Sequence, residues 1–254
     1  MAITGTDSAL YVDNPPLRGR GTLQAMVSQE KIWRFFQNSA TEAFAGADAR
    51  QNYILNRIQA TSKARVPRVL NIGAGSGYLE ERVLARGWES HSLDPDDSTV
   101  KRLVAKGVSA RVGRIEKMPF ADDMFDVVVV SEVLEHLSEE ELSTGLSEIG
   151  RVLKRGGTVL GTVPHRENLS EQMVVCPHCG QVFHRWGHQR SFDEESLASR
   201  LSPLFRVELL KSKYFGSWKR LDWKGKLRAI AKWVLLAMQV HGCDETLVFL
   251  GKKI

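Results

Sequence analysis

VLNIGAGSGYLE, residues 69–80, decides how the rest of the chain is read. VLNI has the character of a buried strand, GAGSG is a glycine-rich turn, and YLE opens a helix. Gly73, Gly75 and Gly77 let the backbone turn sharply and approach a ligand that any side chain would push away. The helix from about Tyr78 aims its free N–H groups and positive dipole end at the same place. A plain strand-to-helix turn shows the same pattern, so the decision falls to the flanking sequence.

The glycines run G-x-G-x-G. A dinucleotide fingerprint runs G-x-G-x-x-G, so the third glycine falls one position early for a pyrophosphate. The next strand, SHSLD, ends in Asp94, where a carboxylate can accept hydrogen bonds from both ribose hydroxyls. FDVVVVSEVLEHL (125–137) and RVLKRGGTVLGTVP (151–164) follow. In this order and spacing the four pieces resemble the class I S-adenosylmethionine-dependent methyltransferases, over roughly residues 66–165 plus the closing strand. The resemblance implies a Rossmann-like α/β fold, with a seven-stranded, mostly parallel sheet, helices on both faces, and a terminal hairpin that places one antiparallel strand in the sheet. It also implies S-adenosylmethionine as cofactor.

Composition agrees with a globular α/β chain: 254 residues, 43% hydrophobic and 26% charged. No apolar run approaches the roughly 18 residues a membrane span needs, and MAITGTDSAL has neither a basic start nor an apolar core, so a cytoplasmic location is expected. Three cysteines make a poor disulfide framework and suit a metal site or free thiols. The net charge is +5, while residues 201–254 hold 11 Lys and Arg against 4 Asp and Glu, a local excess of seven. That excess suits an anionic partner.

Two parts are expected: an N-terminal arm and helical cap at 1–65, and the main domain at 66–254. Residues 1–22 read as an irregular arm. Helical spacing predicts helices over 24–38 and about 42–60, which either pack on the sheet or, as the resemblance implies, cap the cofactor, with Arg50 near its carboxylate. Strands are expected at 68–72, 89–93, 109–112, 126–130, 157–163, 204–211 and 245–253. Helices are expected from 78 to about 86, then at 97–106, 139–153 and 193–201. The additions are a loop at 166–191 and a basic segment at 216–240.

By resemblance, Gly73, Ala74, Gly75 and Gly77 underlie the cofactor, Asp94 with Pro95 holds its ribose, and Ile115 and Glu116 flank its adenine. Arg114 stands where many relatives carry an aspartate. Ser131 ends the strand facing the site. Asn71 replaces a common acidic residue before the first glycine and keeps an acceptor without the charge. Methyl transfer asks chiefly for in-line alignment, with a general base when the acceptor is a hydroxyl. Glu132, Glu135, His136, His165 and His188 are the candidates. The E-x-x-E-H set, with His165, also resembles the ligands of magnesium-dependent O-methyltransferases of the ubiquinone pathway and of small RNA, implying Mg²⁺; its plain alternative caps and packs the following helix.

CPHCGQVFHRWGH, residues 176–188, has the spacing C-x2-C-x4-H-x3-H and resembles a zinc knuckle. Structural Zn²⁺ on Cys176, Cys179, His184 and His188 is expected, with His178 or Cys243 as substitute ligands. The alternative leaves buried thiols and His188 as a pocket residue. Farther on, Trp223, Leu227, Ile230 and Val234 share one helical face and Lys224, Arg228 and Lys232 another. Such a helix rests on an anionic membrane surface or packs on its own domain; its basic face could also meet RNA.

Chains with this CPxCG-and-histidine insertion look like bacterial methyltransferases associated with cell-surface glycans. The expected activity is O-methylation of a hydroxyl on a sugar or lipid-linked saccharide, peripheral to the inner membrane face. The alternatives are RNA methylation and a catalytically silent cofactor-binding module.

Overall fold

A computed structural model describes residues 29–39, 47–216, 221–238 and 245–254. The expected arm at 1–22 and Cys243 lie outside the described residues. The elements run α1 Gln29–Asn38, α2 Asp48–Thr61, β1 Arg68–Ile72, α3 Tyr78–Ala85, β2 Glu89–Asp94, α4 Asp97–Val104, β3 Ser109–Val112 and β4 Phe125–Ser131. There follow α5 Glu139–Val152, β5 Leu153–Pro164, β6 Met173–Val175, β7 Val182–His184, α6 Glu194–Leu201, β8 Phe205–Tyr214, α7 Trp223–Ala237 and β9 Glu245–Lys253.

The main sheet has the order β3-β2-β1-β4-β5-β9-β8. β9 runs antiparallel to both β5 and β8, while the pairs among β1 to β5 are parallel. This is the seven-stranded, mostly parallel sheet the resemblance implied. Side chains alternate across its faces with a period of two. Val69, Val127, Val129 and Leu160 bury one face against Ile54, Leu55 and Ile58 of α2 and Leu79 and Val83 of α3. Leu70, Ile72, Val128, Val130 and Val159 bury the other against Leu142, Leu146 and Ile149 of α5 and Leu197 and Leu201 of α6. Each such fully buried aliphatic side chain stabilises the fold by about 1.5–3 kcal/mol.

Strand β5 is longer than the 157–163 expected, because Leu153 pairs with Phe125 ahead of a register shift. Residues 166–191 carry a short hairpin, β6 with β7, whose turn is the CPHCG sequence. Residue 180 turns it in the left-handed region that glycine favours, at φ 72°. Ser138 starts α5 with a capping box to Glu141, which satisfies N–H groups that would otherwise lack partners.

Candidate active site

Parallel strands direct their carboxyl ends to one edge, and the glycine turn, β2 and β4 all end there. A cavity of about 1280 Å³ opens at that edge, room for a cofactor and an acceptor together. Gly73, Ala74, Gly75, Asp94, Pro95, Ile115, Glu116, Ser131, Glu132, His136, His165 and His188 line it.

The turn glycines take φ of 80°, 53° and 84° at residues 73, 75 and 77, values that a Cβ disfavours. Asp94 is buried; its Oδ2 accepts Ala74 N–H (2.9 Å) and Gln37 Nε2 (3.1 Å), and Oδ1 accepts Asp96 N–H (2.9 Å). Burial pushes its pKa up. A carboxylate offers about four acceptor positions, so a position remains for a ribose hydroxyl, and Gln37 is a side chain that can yield another. Ile115 fits beneath the site because residue 145 of α5 is glycine; a Cβ there would lie 3.0 Å from Ile115.

Two expected cofactor residues have other roles. Asn71 and Gly77 do not line the cavity. Asn71 Nδ2 donates to Glu80 Oε1 at 2.8 Å and Ser92 Oγ donates to the same oxygen at 2.9 Å. Glu80, buried under the turn, is therefore the carboxyl group that stands behind the first glycine. Its desolvation raises its pKa to about 7. Residue 77 begins α3 in a left-handed conformation.

The N-terminal helices divide the work. α2 buries Ile54, Leu55 and Ile58 on the sheet, whereas Trp33, Phe36 and Gln37 of α1 line the cavity. Arg50 and Gln51 of α2 also line it, and both Arg50 Nε and Gln51 Oε1 are buried without a hydrogen-bond partner among the described residues. Such orphaned groups cost about 1–3 kcal/mol each. A guanidinium donor beside an amide acceptor matches the carboxylate and ammonium of an amino-acid moiety. The residues present therefore fit S-adenosylmethionine: Arg50 and Gln51 would hold its methionine end and Asp94 its ribose.

Carboxylates and imidazoles line the rest of the cavity. His165, expected as a base, is a strut: Nδ1 lies 3.3 Å from Glu245 Oε2 and Nε2 lies 3.1 Å from Glu194 Oε2. With both ring nitrogens held, it has no nitrogen to offer an acceptor. Glu132 follows β4 in a left-handed conformation, φ 57°, and its Oε1 accepts Thr162 Oγ1 at 2.8 Å while Arg50 lies 3.7 Å from Oε2. Thr162 has one proton, so Ser131 Oγ, 2.7 Å away, is the donor in their contact. Burial pushes His136 down to about 3, with a further push from His188, so it is neutral and a weak base.

His188 differs. Its Nδ1 lies 2.5 Å from Glu167 Oε2, which makes Nδ1–H the donor and leaves Nε2 as the acceptor nitrogen of a cavity-lining ring. His184 stacks on it, ring centroids 4.7 Å apart, and its Nδ1 accepts the His188 N–H at 3.1 Å. Neutral His184 then carries its proton on Nε2, which is buried without a hydrogen-bond partner among the described residues, 3.6 Å from Glu167 Oε1. Glu167, His184 and His188 each offer a ligand atom within 4.8 Å of the others, and an ion on His184 Nε2 would require its Nδ1 to give up the bond it accepts from the His188 N–H.

Those contacts also correct the zinc expectation. His184 pairs with Met173 at the open end of the hairpin, whereas Cys176 and Cys179 sit in its turn, roughly 10 Å away at about 3.3 Å per strand residue. The hairpin register separates the thiols from the imidazoles, so the expected four-ligand set is not assembled. The E-x-x-E-H set is likewise regrouped: Glu135, His136 and His188 each offer a ligand atom within 4.8 Å of the others. Both oxygens of fully buried Glu135 lack a partner among the described residues, and burial, then Glu132, pushes its pKa well up. Two imidazoles and one carboxylate suit a transition ion better than Mg²⁺, which prefers oxygen ligands.

Sheet order, glycine turn and buried Asp94 define the fold of the S-adenosylmethionine-dependent methyltransferases, and residues 70–161 match the family described as Methyltransferase domain. A probable S-adenosylmethionine-dependent methyltransferase of Mycolicibacterium smegmatis is 32% identical over 129 residues, 48% of this chain and 49% of that relative. The ubiquinone/menaquinone biosynthesis C-methyltransferase UbiE of Azotobacter vinelandii is 33% identical over 114 residues, 41% of this chain and 44% of that one. The chain thus spans about half the length of these curated relatives. Among solved structures, PH0226 of Pyrococcus horikoshii aligns with a TM-score of 0.60 at 15% identity, over 88% of this chain and 97% of that one. The N-methyltransferase NodS of Bradyrhizobium japonicum, in complex with S-adenosyl-L-homocysteine, aligns with a TM-score of 0.57 at 15% identity, over 89% and 96%.

Proposed function

We propose that the chain is an S-adenosylmethionine-dependent O-methyltransferase whose acceptor is a hydroxyl of a sugar or lipid-linked saccharide. The observation that carries this is the Glu167–His188 pair in the wall of the cavity. When bound, the cofactor supplies a methyl group on a sulfonium, already a strong electrophile. The protein's task is to align the acceptor oxygen and take its proton, which a hydroxyl of high pKa requires. His188 takes that proton at Nε2, and Glu167 holds the Nδ1–H and stabilises the imidazolium that forms.

Supplying methyl-labelled S-adenosylmethionine and the protein to fractionated cell extract tests the reading. Label in the glycan or lipid-linked pool supports it. Label in nuclease-sensitive material instead identifies an RNA methyltransferase, and cofactor binding without transfer to any pool identifies a silent module.

A second reading rests on the unpartnered Glu135 oxygens: a divalent ion on Glu135, His136 and His188 would acidify the acceptor hydroxyl in place of the base. Turnover that survives dialysis against chelator, with no ion in metal analysis, rules this reading out.

A further inference from the structure

Helix α7 turns its apolar stripe away from the domain. Trp223, Leu227, Ile230, Val234 and Met238 succeed one another at steps of four and three residues, one side of a helix at about 100° per residue. All five are exposed, from 44% to 68%. The opposite side makes the contact with the sheet: Ala229 is 1% exposed, Trp233 Nε1 donates to Tyr214 O at 3.4 Å, and Lys232 Nζ lies 5.0 Å over the Tyr214 ring. The helix thus packs on its own domain through Ala229 and Trp233, and among the described residues none covers the stripe.

Residues 223–238 hold Lys224, Lys226, Arg228 and Lys232 and no Asp or Glu. On the helical wheel Lys224 and Arg228 flank one border of the stripe and Lys226 the other, with tryptophan at the first position. Apolar stripe, cationic borders and interfacial tryptophan together match a bilayer interface with anionic headgroups, where the stripe enters the acyl boundary and the cations meet phosphate. At 15 residues α7 is too short to cross a membrane, and among the described residues no helix is long and apolar enough to do so.

The location adds a reason. Tyr214 ends β8 and pairs with Glu245, and Thr246 pairs with Pro164. Pro164, Glu245 and Thr246 line the cavity, so α7 is anchored at the edge of the sheet where the cavity opens. We infer that α7 docks the chain on an anionic lipid bilayer and brings the cavity mouth to that surface. This deepens the lipid-linked reading of the acceptor, yet its test is independent of turnover.

The test is co-sedimentation of the full chain with vesicles of phosphatidylcholine alone and of phosphatidylcholine with phosphatidylglycerol. The expected result is binding to the anionic vesicles, a blue shift of tryptophan emission, and release as salt rises from about 0.05 to about 0.5 M. Leu227→Ser with Ile230→Ser should weaken binding about ten-fold or more, and Lys224→Glu with Arg228→Glu should abolish it. The stripe lies off the core, so both variants should keep the wild-type melting temperature. Equal binding to neutral vesicles, no binding, or unchanged binding of the stripe variant overturns the inference. So does a concentration-dependent dimer that the stripe variant abolishes, which would assign the stripe to a second copy of the chain. Failure here leaves the methyl-transfer reading standing, and absence of methyl transfer leaves vesicle binding standing.

Discussion

Glu167 lies 2.5 Å from His188 Nδ1 and holds the proton of that ring, while the His188 N–H, donating to His184 Nδ1 at 3.1 Å, sets the proton of the second. The carboxylate comes from the start of the insertion and the imidazoles from its end. Their meeting turns a loop that reads as a metal knuckle into a wall of the cavity.

The tautomer of His188 follows from that contact. Ring ¹⁵N chemical shifts should report Nδ1–H for His188 in the wild type, and Glu167→Ala should remove that preference. Once an acceptor is known, His188→Ala should lower kcat by about 10²–10⁴-fold while cofactor affinity is unchanged. An Nε2–H tautomer in the wild type would dismiss His188 as the base.

Cofactor affinity should depend on α2 as well as on the glycine turn. Arg50→Ala and Gln51→Leu should each weaken S-adenosylmethionine binding about ten-fold in calorimetry, the effect of one hydrogen bond to a charged group. Asp94→Ala should cost about a hundred-fold, because it also frees the Ala74 and Asp96 N–H groups that Asp94 holds. Unchanged affinity in the α2 variants would move the methionine end of the cofactor elsewhere.

Glu80 makes stability depend on pH. Its carboxyl is raised from 4.5 to about 7 by burial, so the folded chain holds a proton that the unfolded chain releases. Stability from this group is full below about 4.5 and is lost as pH rises through about 7, by on the order of 3 kcal/mol. Glu80→Gln keeps an acceptor for Asn71 and Ser92 and cannot ionise. Urea unfolding should show the variant more stable than wild type at pH 8, with the gap closed near pH 4.5. Parallel pH profiles for the two proteins would contradict this.

Cys176 and Cys179 should react with a thiol reagent in the folded protein. The N–H groups of Cys179 and His178 hold the Cys176 thiol below its usual pKa, so it should react at lower pH than an ordinary cysteine. Protection of both thiols until chelator is added would restore the zinc reading and displace the hairpin register seen here.

The positions of helices and strands were legible because they rest on local pattern, whereas the make-up of the sheet came from the resemblance. The run 69–80 carries its own strand, turn and helix signals, and the unbroken Val127 to Val130 run marks a strand buried on both faces. The amphipathic spacing of α7 is of the same kind. Asp94 was also readable, since a carboxylate at that strand end meets whatever the glycine turn holds.

Which titratable groups are available was a matter for the tertiary structure alone. His165 and His188 look alike in sequence, yet Glu194 and Glu245 hold both nitrogens of the first while Glu167 holds only Nδ1 of the second. Spacing within C-x2-C-x4-H-x3-H is the same for a zinc site and for a hairpin that parts thiols from imidazoles; the register of β6 against β7 made the choice. Asn71 shows no loss of the buried carboxyl until Glu80, nine residues on, folds beneath it. Likewise the stripe of α7 is set by sequence, but its outward direction is set by the packing of Ala229 and Trp233 toward β8. Local pattern specifies what a segment can form, whereas proton position, ligand grouping and the direction of a face depend on partners that only the folded chain brings within reach.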